Sequence, residues 1–441
     1  MSKQMKQVPD SEISVNANVY DRRHFIKSLV AAGAAISVLP AAGFAANASS
    51  RPTFRVGAVG VGGRGRGAMA NMREAAEVAG VEVKFVAVAD PQESAVEEAG
   101  NQFDVPAEYR FVGFDGYRKV LDAGVDVVIL ATPPSFRPLH FEAAVEAGCH
   151  CFIEKPVAVD PPGARRMYAT GEEAGRKGLS VVAGTQRRHT NGYLAQRDAI
   201  RDGAIGDIVG GKVMWCQNRL WVRNRREGES NAMYLARNWV NFLEVGGDHI
   251  VEQHMHNIDV ANWFIGRTPS MALGFGGRAR RQSGNLYDFF SVDFDYGDNC
   301  SIHSMCRQMN GTYTRVGEWL TGTEGALVGG SRVSRFDGRS VDLPEYDLHP
   351  NGQVQELVHL LESIVNEEGL NETRDVTDST VSALMGCLSA YSGSIVRFID
   401  LTEREDSEWY DWKVNPVAED FEKDEDVYMP EEEVAPVPGT V

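Results

Sequence analysis

A β-strand that runs straight into Gly60-Val61-Gly62-Gly63-Arg64-Gly65 and then into a helix leaves this chain few folds to choose from. The spacing G-x-G-x-x-G asks something different of each glycine. Gly60 permits a tight turn, Gly62 lets a pyrophosphate approach the backbone, and Gly65 lets the helix pack closely on the strand. Gly63 and Arg64 complete the turn, and the free N–H groups that open the helix present a positive end to phosphate. The strand before the turn spans Phe54–Val59, and the next one, Val81–Ala89, ends on Asp90. A carboxylate there accepts hydrogen bonds from adenosine ribose hydroxyls and repels a 2′-phosphate, which favours NAD; Arg64 or Arg66 could soften that preference and keep NADP open.

Apolar strands continue to alternate with helical stretches as far as residue 185. One of them, Val125–Ala131, is almost wholly apolar, as a parallel strand covered on both faces must be. The alternation predicts an α/β fold with a parallel, doubly wound Rossmann sheet over residues 54–185. Beyond Gln186 the strands cluster, at Val209–Cys216, Met271–Phe275, Phe289–Tyr296 and Asn299–Met305. Long helices are expected at Val251–Ile265, Gly352–Asn366 and Asp378–Phe398. This texture predicts a C-terminal α/β domain built on an open, mostly antiparallel sheet over residues 186–400.

The 441 residues suffice for two such cores, and a net charge of −18 argues against nucleic acid or an anionic membrane surface as partner. No apolar run after the N-terminal region is long enough to span a bilayer. Fourteen acidic residues against three basic ones fall between Thr402 and Val441, so residues 401–441 read as a solvated, weakly ordered acidic tail. Trp409, Tyr410 and Trp412 are the part of it suited to docking. At the other end, Asp21-Arg22-Arg23-His24-Phe25-Ile26-Lys27 precedes a modest apolar stretch, Ser28–Ala45. Residues 1–48 have the layout of an export signal, and the paired arginines resemble the twin-arginine type. That route carries folded proteins, cofactor included, to the periplasm. Six scattered cysteines do not make a disulfide scaffold.

Three clusters carry candidate chemistry. Thr132-Pro133-Pro134 ends an apolar strand at the edge where ligands bind in such sheets, and His140 on the next helix is either a packing residue or a cofactor contact. Glu154-Lys155-Pro156 ends the following strand on the same edge. Pro156 keeps Lys155 out of helical geometry, and the ammonium projects into the cleft, where it can polarise a hydroxyl or carbonyl. The third cluster runs from Gly246 to Asp259. Residues four apart on a helix share a face, so Glu252 and His256 point the same way, with Asp259 a turn further on, and His256 is a proton-transfer candidate. His249, His254 and His256 diverge too far to suggest a shared metal, and no metal site is expected.

Taken together, these residues resemble the Gfo/Idh/MocA oxidoreductase family, over about Phe54–Asp400. The resemblance implies sugars, polyols or their derivatives as substrates and a homo-oligomer formed through the open sheet. It assigns Lys155 and His256 as catalytic, with Glu252 where many members carry Asp, and Asp259 as a substrate or supporting residue. It places Arg187 and Arg188, just after Gln186, along the substrate cleft. Trp215, Trp221 and Trp239 can stack on a sugar face. The activity expected is hydride transfer between a substrate carbon and nicotinamide, with His256 or Lys155 moving the hydroxyl proton. Export of a retained cofactor further implies a redox-neutral cycle. Two rivals remain: an NAD-dependent glycosidase that works by transient oxidation and elimination, and a nucleotide-bound sensor without turnover.

Overall fold

A computed structural model describes residues 51–432. The export-type segment at residues 1–48 lies outside the described residues. Six parallel strands form the first sheet: β1 (Thr53–Val59), β2 (Glu82–Asp90), β3 (Arg110–Val112), β4 (Val127–Leu130), β5 (His150–Ile153) and β6 (Val181–Ala183). Their order is β3-β2-β1-β4-β5-β6, so the strand order reverses between β1 and β4 and opens a crevice at their C-terminal ends. Helices α1 (Gly63–Ala79), α2 (Glu93–Gln102), α3 (Gly116–Asp122), α4 (Arg137–Glu146) and α5 (Pro161–Arg176) make the crossovers. Local chemistry sets their ends. The Asp160 side chain caps α5 through Gly163 N–H at 2.8 Å with Pro161 just inside, and α1 stops at Gly80, whose φ is 69°.

The second sheet holds eight strands: β7 (Ile208–Gln217), β8 (Met271–Gly277), β9 (Phe289–Asp295), β10 (Ser301–Gln308), β11 (Arg315–Gly322), β12 (Gly325–Val328), β13 (Arg332–Arg335) and β14 (Val396–Arg397). They are ordered β13-β12-β11-β7-β10-β9-β8-β14, and every pair is antiparallel except β7 with β10. Helices α6 (Asn191–Arg201), α7 (Asn231–Arg237), α8 (Leu243–Gly246), α9 (Met255–Ile265), α10 (Gly352–Val365), α11 (Thr373–Ser392) and α12 (Phe398–Thr402) complete the chain. In β10 every second side chain is buried, the period-2 pattern of a sheet covered on one face.

Three features depart from the pattern read in the sequence. Strands β11 to β13 and helices α6 and α7 are additional. β11 escapes a periodicity search because it buries Glu318 completely and carries Gly317 at a φ of 153°. The helix expected from Val251 opens with a π-turn over Ile250–His254 before becoming α-helical at Met255. Helix α10 returns to the first sheet, where Val354, Leu357, Val358 and Leu361 share one core with Val56, Ala58, Met69 and Met72.

The acidic tail packs through residue 432 although it is almost free of regular structure. Trp409, Val414, Phe421 and Val427 are buried, and the Phe421 ring lies 4.8 Å from Phe136 and 5.3 Å from Phe114. Its acids find cations and N–H groups, as in Arg166–Glu419 and Arg118–Glu422 at 2.8 Å and Asn231 N–H to Asp426 at 2.9 Å. Charge alone predicted solvation; the apolar residues spaced between the charges anchor the segment instead.

Candidate active site

The glycine turn has the dimensions that its spacing implied. Gly60 has φ 80°, and a Cβ there would meet Thr132 N at 2.6 Å; a Cβ on Gly65 would meet the Gly60 carbonyl oxygen at 2.0 Å. At Gly62 and Gly63 nothing lies within 4 Å, which leaves open space above the backbone at the head of α1. This is a cradle that a side chain would fill and that a pyrophosphate fits. Asp90 ends β2 beside it, with Oδ1 accepting from Gln92 N–H at 2.9 Å; burial raises its pKa to about 6. A dinucleotide therefore fits these residues: Gly62, Gly63 and the first turn of α1 would hold the phosphates and Asp90 the ribose.

Arg64 does not point freely into solvent. Its guanidinium pairs with Glu154 at the end of β5 and reaches Glu356 of α10 at 3.6 Å. Glu356 is wholly buried, its carboxylate has no hydrogen-bond partner among the described residues, and burial together with Glu154 pushes its pKa well above the usual range. Arg66, on the next turn of α1, pairs with Glu98. Thr132 shares a 3.2 Å hydrogen bond with His140, whose ring is buried against Tyr117 at 4.3 Å and whose pKa burial lowers to about 3. His140 thus supports the end of β4 from behind. Pro133 leads into a 3₁₀ turn, Pro134–Phe136. Arg137 then joins the two candidate loops, donating to the Thr132 carbonyl at 2.9 Å and to the Pro156 carbonyl.

Lys155 is 8% exposed, and its Nζ donates to the Glu252 backbone carbonyl at 2.5 Å and to Glu252 Oε1 at 3.1 Å. Glu252 also accepts from Gln253, and among the described residues no hydrogen bond joins it to His256. The π-turn presents Glu252 to the Rossmann domain rather than along its own helix. His256 sits one turn on, 8% exposed, its ring stacked on Trp215 at 5.8 Å and 25°. Burial, with the nearby charges of Lys155, Arg187 and Arg64, pushes its pKa well below the ordinary histidine value. Arg187 lies 5.7 Å from the Trp215 ring and is held by Glu318 at 2.6 Å; Asn257 and Tyr193 donate to the same carboxylate. Asp259 is bound by Arg188 at 2.8–3.1 Å and by Ser379 at 2.8 Å, and both Arg188 and Asp259 are turned inward.

The structure therefore brings Arg64, Glu154, Lys155, Glu252, His256 and Arg187 around one cleft and pairs Arg188 with Asp259 beside it. His249 bonds to Asp248 and His254 to Ser304, so both are committed within the fold. Sequence reasoning missed Arg137, Glu318 and Glu356. An arginine three residues after Pro134, at the strand edge where ligands bind, is a usable sequence signal for the first; the other two reveal themselves only through partners far away in the chain. No cluster of three metal-ligating side chains forms among the described residues, and all six cysteines are free and buried.

Fold and cleft define a dinucleotide-binding Rossmann protein with an open-sheet second domain. Residues 54–182 match the NAD-binding Rossmann-fold model of the oxidoreductase family, and residues 193–328 match the GFO/IDH/MocA C-terminal domain. These two matches together take in more than half of the chain, which belongs to the Gfo/Idh/MocA family.

Among curated relatives, the chain is 27% identical over 216 residues to a 1,5-anhydro-D-fructose reductase of Ensifer adhaerens, covering 47% of this chain and 58% of that protein. It is 26% identical over 304 residues to a glycosyl hydrolase family 109 protein of Shewanella pealeana, covering 63% and 65%. The match thus spans under two thirds of the length of either relative. A levoglucosan dehydrogenase solved with NADH and levoglucosan superposes with a TM-score of 0.62 at 18% identity, covering 78% of this chain and 99% of that one.

Proposed function

We propose that the protein is an NAD-dependent oxidoreductase that transfers hydride to or from a hydroxyl-bearing or carbonyl carbon of a sugar, polyol or sugar derivative. One observation carries the reading: an ammonium anchored by Glu252 and a neutral histidine stacked on Trp215 face the same cleft at the end of β5. Bound nicotinamide supplies the hydride acceptor or donor. The chain's own residues supply the proton path. A ring nitrogen of His256, uncharged in this setting, takes the proton of the substrate hydroxyl, and Lys155 Nζ donates a hydrogen bond to the same oxygen as charge builds on it. Glu252 keeps Lys155 in place, and Trp215 fixes the plane of the His256 ring. In the reverse direction the protonated form of His256 returns that proton to the oxygen of the carbonyl being reduced.

Asp90 supports NAD over NADP, as does the engagement of Arg66 by Glu98. Arg22 and Arg23 support export to the periplasm with the cofactor retained and recycled in place. The helix-free face of the second sheet carries exposed Phe275, Leu273 and Phe289 and supports homo-oligomer formation. No helix among the described residues is long and apolar enough to cross a membrane.

The test is to purify the protein without added nucleotide, denature it and identify what is released by mass spectrometry. NAD is expected. An empty protein that needs added NAD would overturn retention, and NADP would overturn the assignment of Asp90. Similarity to the family 109 hydrolase over 63% of the chain supports a second reading, glycoside cleavage through transient oxidation. Release of phenol from an aryl glycoside with no net NADH would select it.

A further inference from the structure

β7 carries Trp215 against His256 and leads directly into an irregular loop, residues 218–230. Four arginines stand in its first nine positions, with no acid among them. Trp221 is 42% exposed and packs edge-on against Trp239 at 6.0 Å. Arg223 and Arg226 are exposed, as is Arg280 on the neighbouring loop, and among the described residues no hydrogen bond or ion pair holds their guanidinium groups. Arg219 ties the two loops together through Ser283 at 2.9 Å, and Asn241 holds the Trp221 carbonyl at 3.0 Å.

The local acids are largely committed elsewhere. Glu229 is locked to Arg237 at 2.5 Å, both side chains nearly buried, and Asp288 accepts the backbone N–H groups of Ala279, Arg280 and Arg281 at 2.6–2.9 Å. Glu244 is buried against Asn285, with its pKa raised to about 7 by burial, and Glu227 stands exposed at the far end of the loop. The result is a basic, aromatic rim on a chain whose net charge is −18. Such a concentration of unpaired positive charge would repel a basic ligand, and a neutral one would have no use for it.

We propose that Trp221, Arg223, Arg226 and Arg280 form a subsite for an anionic carbohydrate chain whose reacting sugar lies at His256. The inference rests on the sugar oxidoreductase reading and adds the substrate class. Trp221 offers a face for a pyranose ring, and the arginines offer planar, paired donors that suit carboxylate or sulfate groups. Six residues separate Trp215 from Trp221, a reach of at most about 20 Å. A short acidic oligosaccharide can span that distance from His256 to the rim.

The test is calorimetric binding of two acidic probes, a galacturonate oligosaccharide and a chondroitin sulfate oligosaccharide, against a neutral cello-oligosaccharide, using the full chain with its nucleotide bound. At least one acidic probe is expected to bind, more weakly as salt rises, and the Arg223→Ala/Arg226→Ala double variant should weaken it about tenfold. Preference between the two probes assigns carboxylate or sulfate as the recognised group. Trp221→Ala should weaken binding without changing its salt dependence. Equal binding of the neutral probe, or no effect of the double variant, would overturn the proposal. So would acidic-probe binding that appears only after truncation before Glu431, because the patch would then belong to the chain's own acidic terminus. Nucleotide content, measured on the same samples, reports separately on the oxidoreductase reading.

Discussion

Lys155 and Glu252 stand ninety-seven residues apart in the chain and meet in a buried 3.1 Å contact that joins the end of β5 to the π-turn ahead of α9. That pair fixes the Lys155 ammonium from the opposite domain. Lys155→Ala should lower kcat about 10²- to 10⁴-fold while bound NAD is retained. Glu252→Gln, which keeps the shape and one acceptor, should cost less. Because His256 is held neutral far below its ordinary pKa, a kcat/KM profile between pH 5 and 8 should show no limb near 6.5 from this residue. Such a limb, abolished in His256→Asn, would contradict the assignment.

The two inner glycines separate binding from folding. Gly65→Ala drives a methyl into a backbone oxygen and should cost about 3 kcal/mol of stability. Gly62→Ala meets nothing within 4 Å, so the melting temperature should hold while NAD affinity falls at least about tenfold, its methyl occupying the phosphate space. Thermal melts and nucleotide titrations of both variants check the contrast.

Asp90 couples stability to pH. Its folded pKa of about 6 lies above the ordinary value of 3.8, so it favours the fold when protonated, and that contribution is lost as pH rises through 6. Asp90→Asn removes the loss, worth about 3 kcal/mol at most. The variant should therefore be more stable than the parent at pH 8, nearly equal at pH 4, and weaker for NAD. Denaturant melts at the two pH values decide it.

Arg64 is the only cation among the described residues seen to contact both Glu154 and Glu356. Arg64→Ala should destabilise the protein by about 1–3 kcal/mol once Glu356 is ionised, and by less as pH falls and Glu356, its pKa raised by burial, takes a proton. Adding Glu356→Gln should recover most of the loss. A double-mutant cycle with no coupling would show that the contact carries no energy.

Phe421→Ala tests the packed tail. The ring fills a cluster with Phe114 and Phe136, and its removal should cost about 3–4 kcal/mol by urea unfolding.

Much of the fold could be read from the chain because local rules sufficed. Gly60, Gly62 and Gly65 act within one turn, and the apolar run before Thr132 needs no distant partner to be a buried strand. The same is true of Lys155 and His256, whose positions follow from a strand end and a helix face. What stayed hidden depends on pairing across the chain. Glu252 was expected on the face of His256, yet its carboxylate goes to Lys155. Glu318 interrupts the alternation of β11 because it is buried to hold Arg187. Glu356 looks like one polar position on an amphipathic helix until α10 is laid against α1. The tail misled for a similar reason: its charges outnumber Trp409 and Phe421, but those two decide where it lies.

Helix α10 also sets an order of events during synthesis. The face of the first sheet built from Val56, Met69 and Met72 gains its cover only when Val354 to Leu361 have left the ribosome, about 170 residues after β1 to β6 are complete. The nucleotide-binding half must therefore wait, partly uncovered, for the far end of the chain. Severed near residue 185 it would present that apolar face to water, so it is not a module that can be lifted out and used alone.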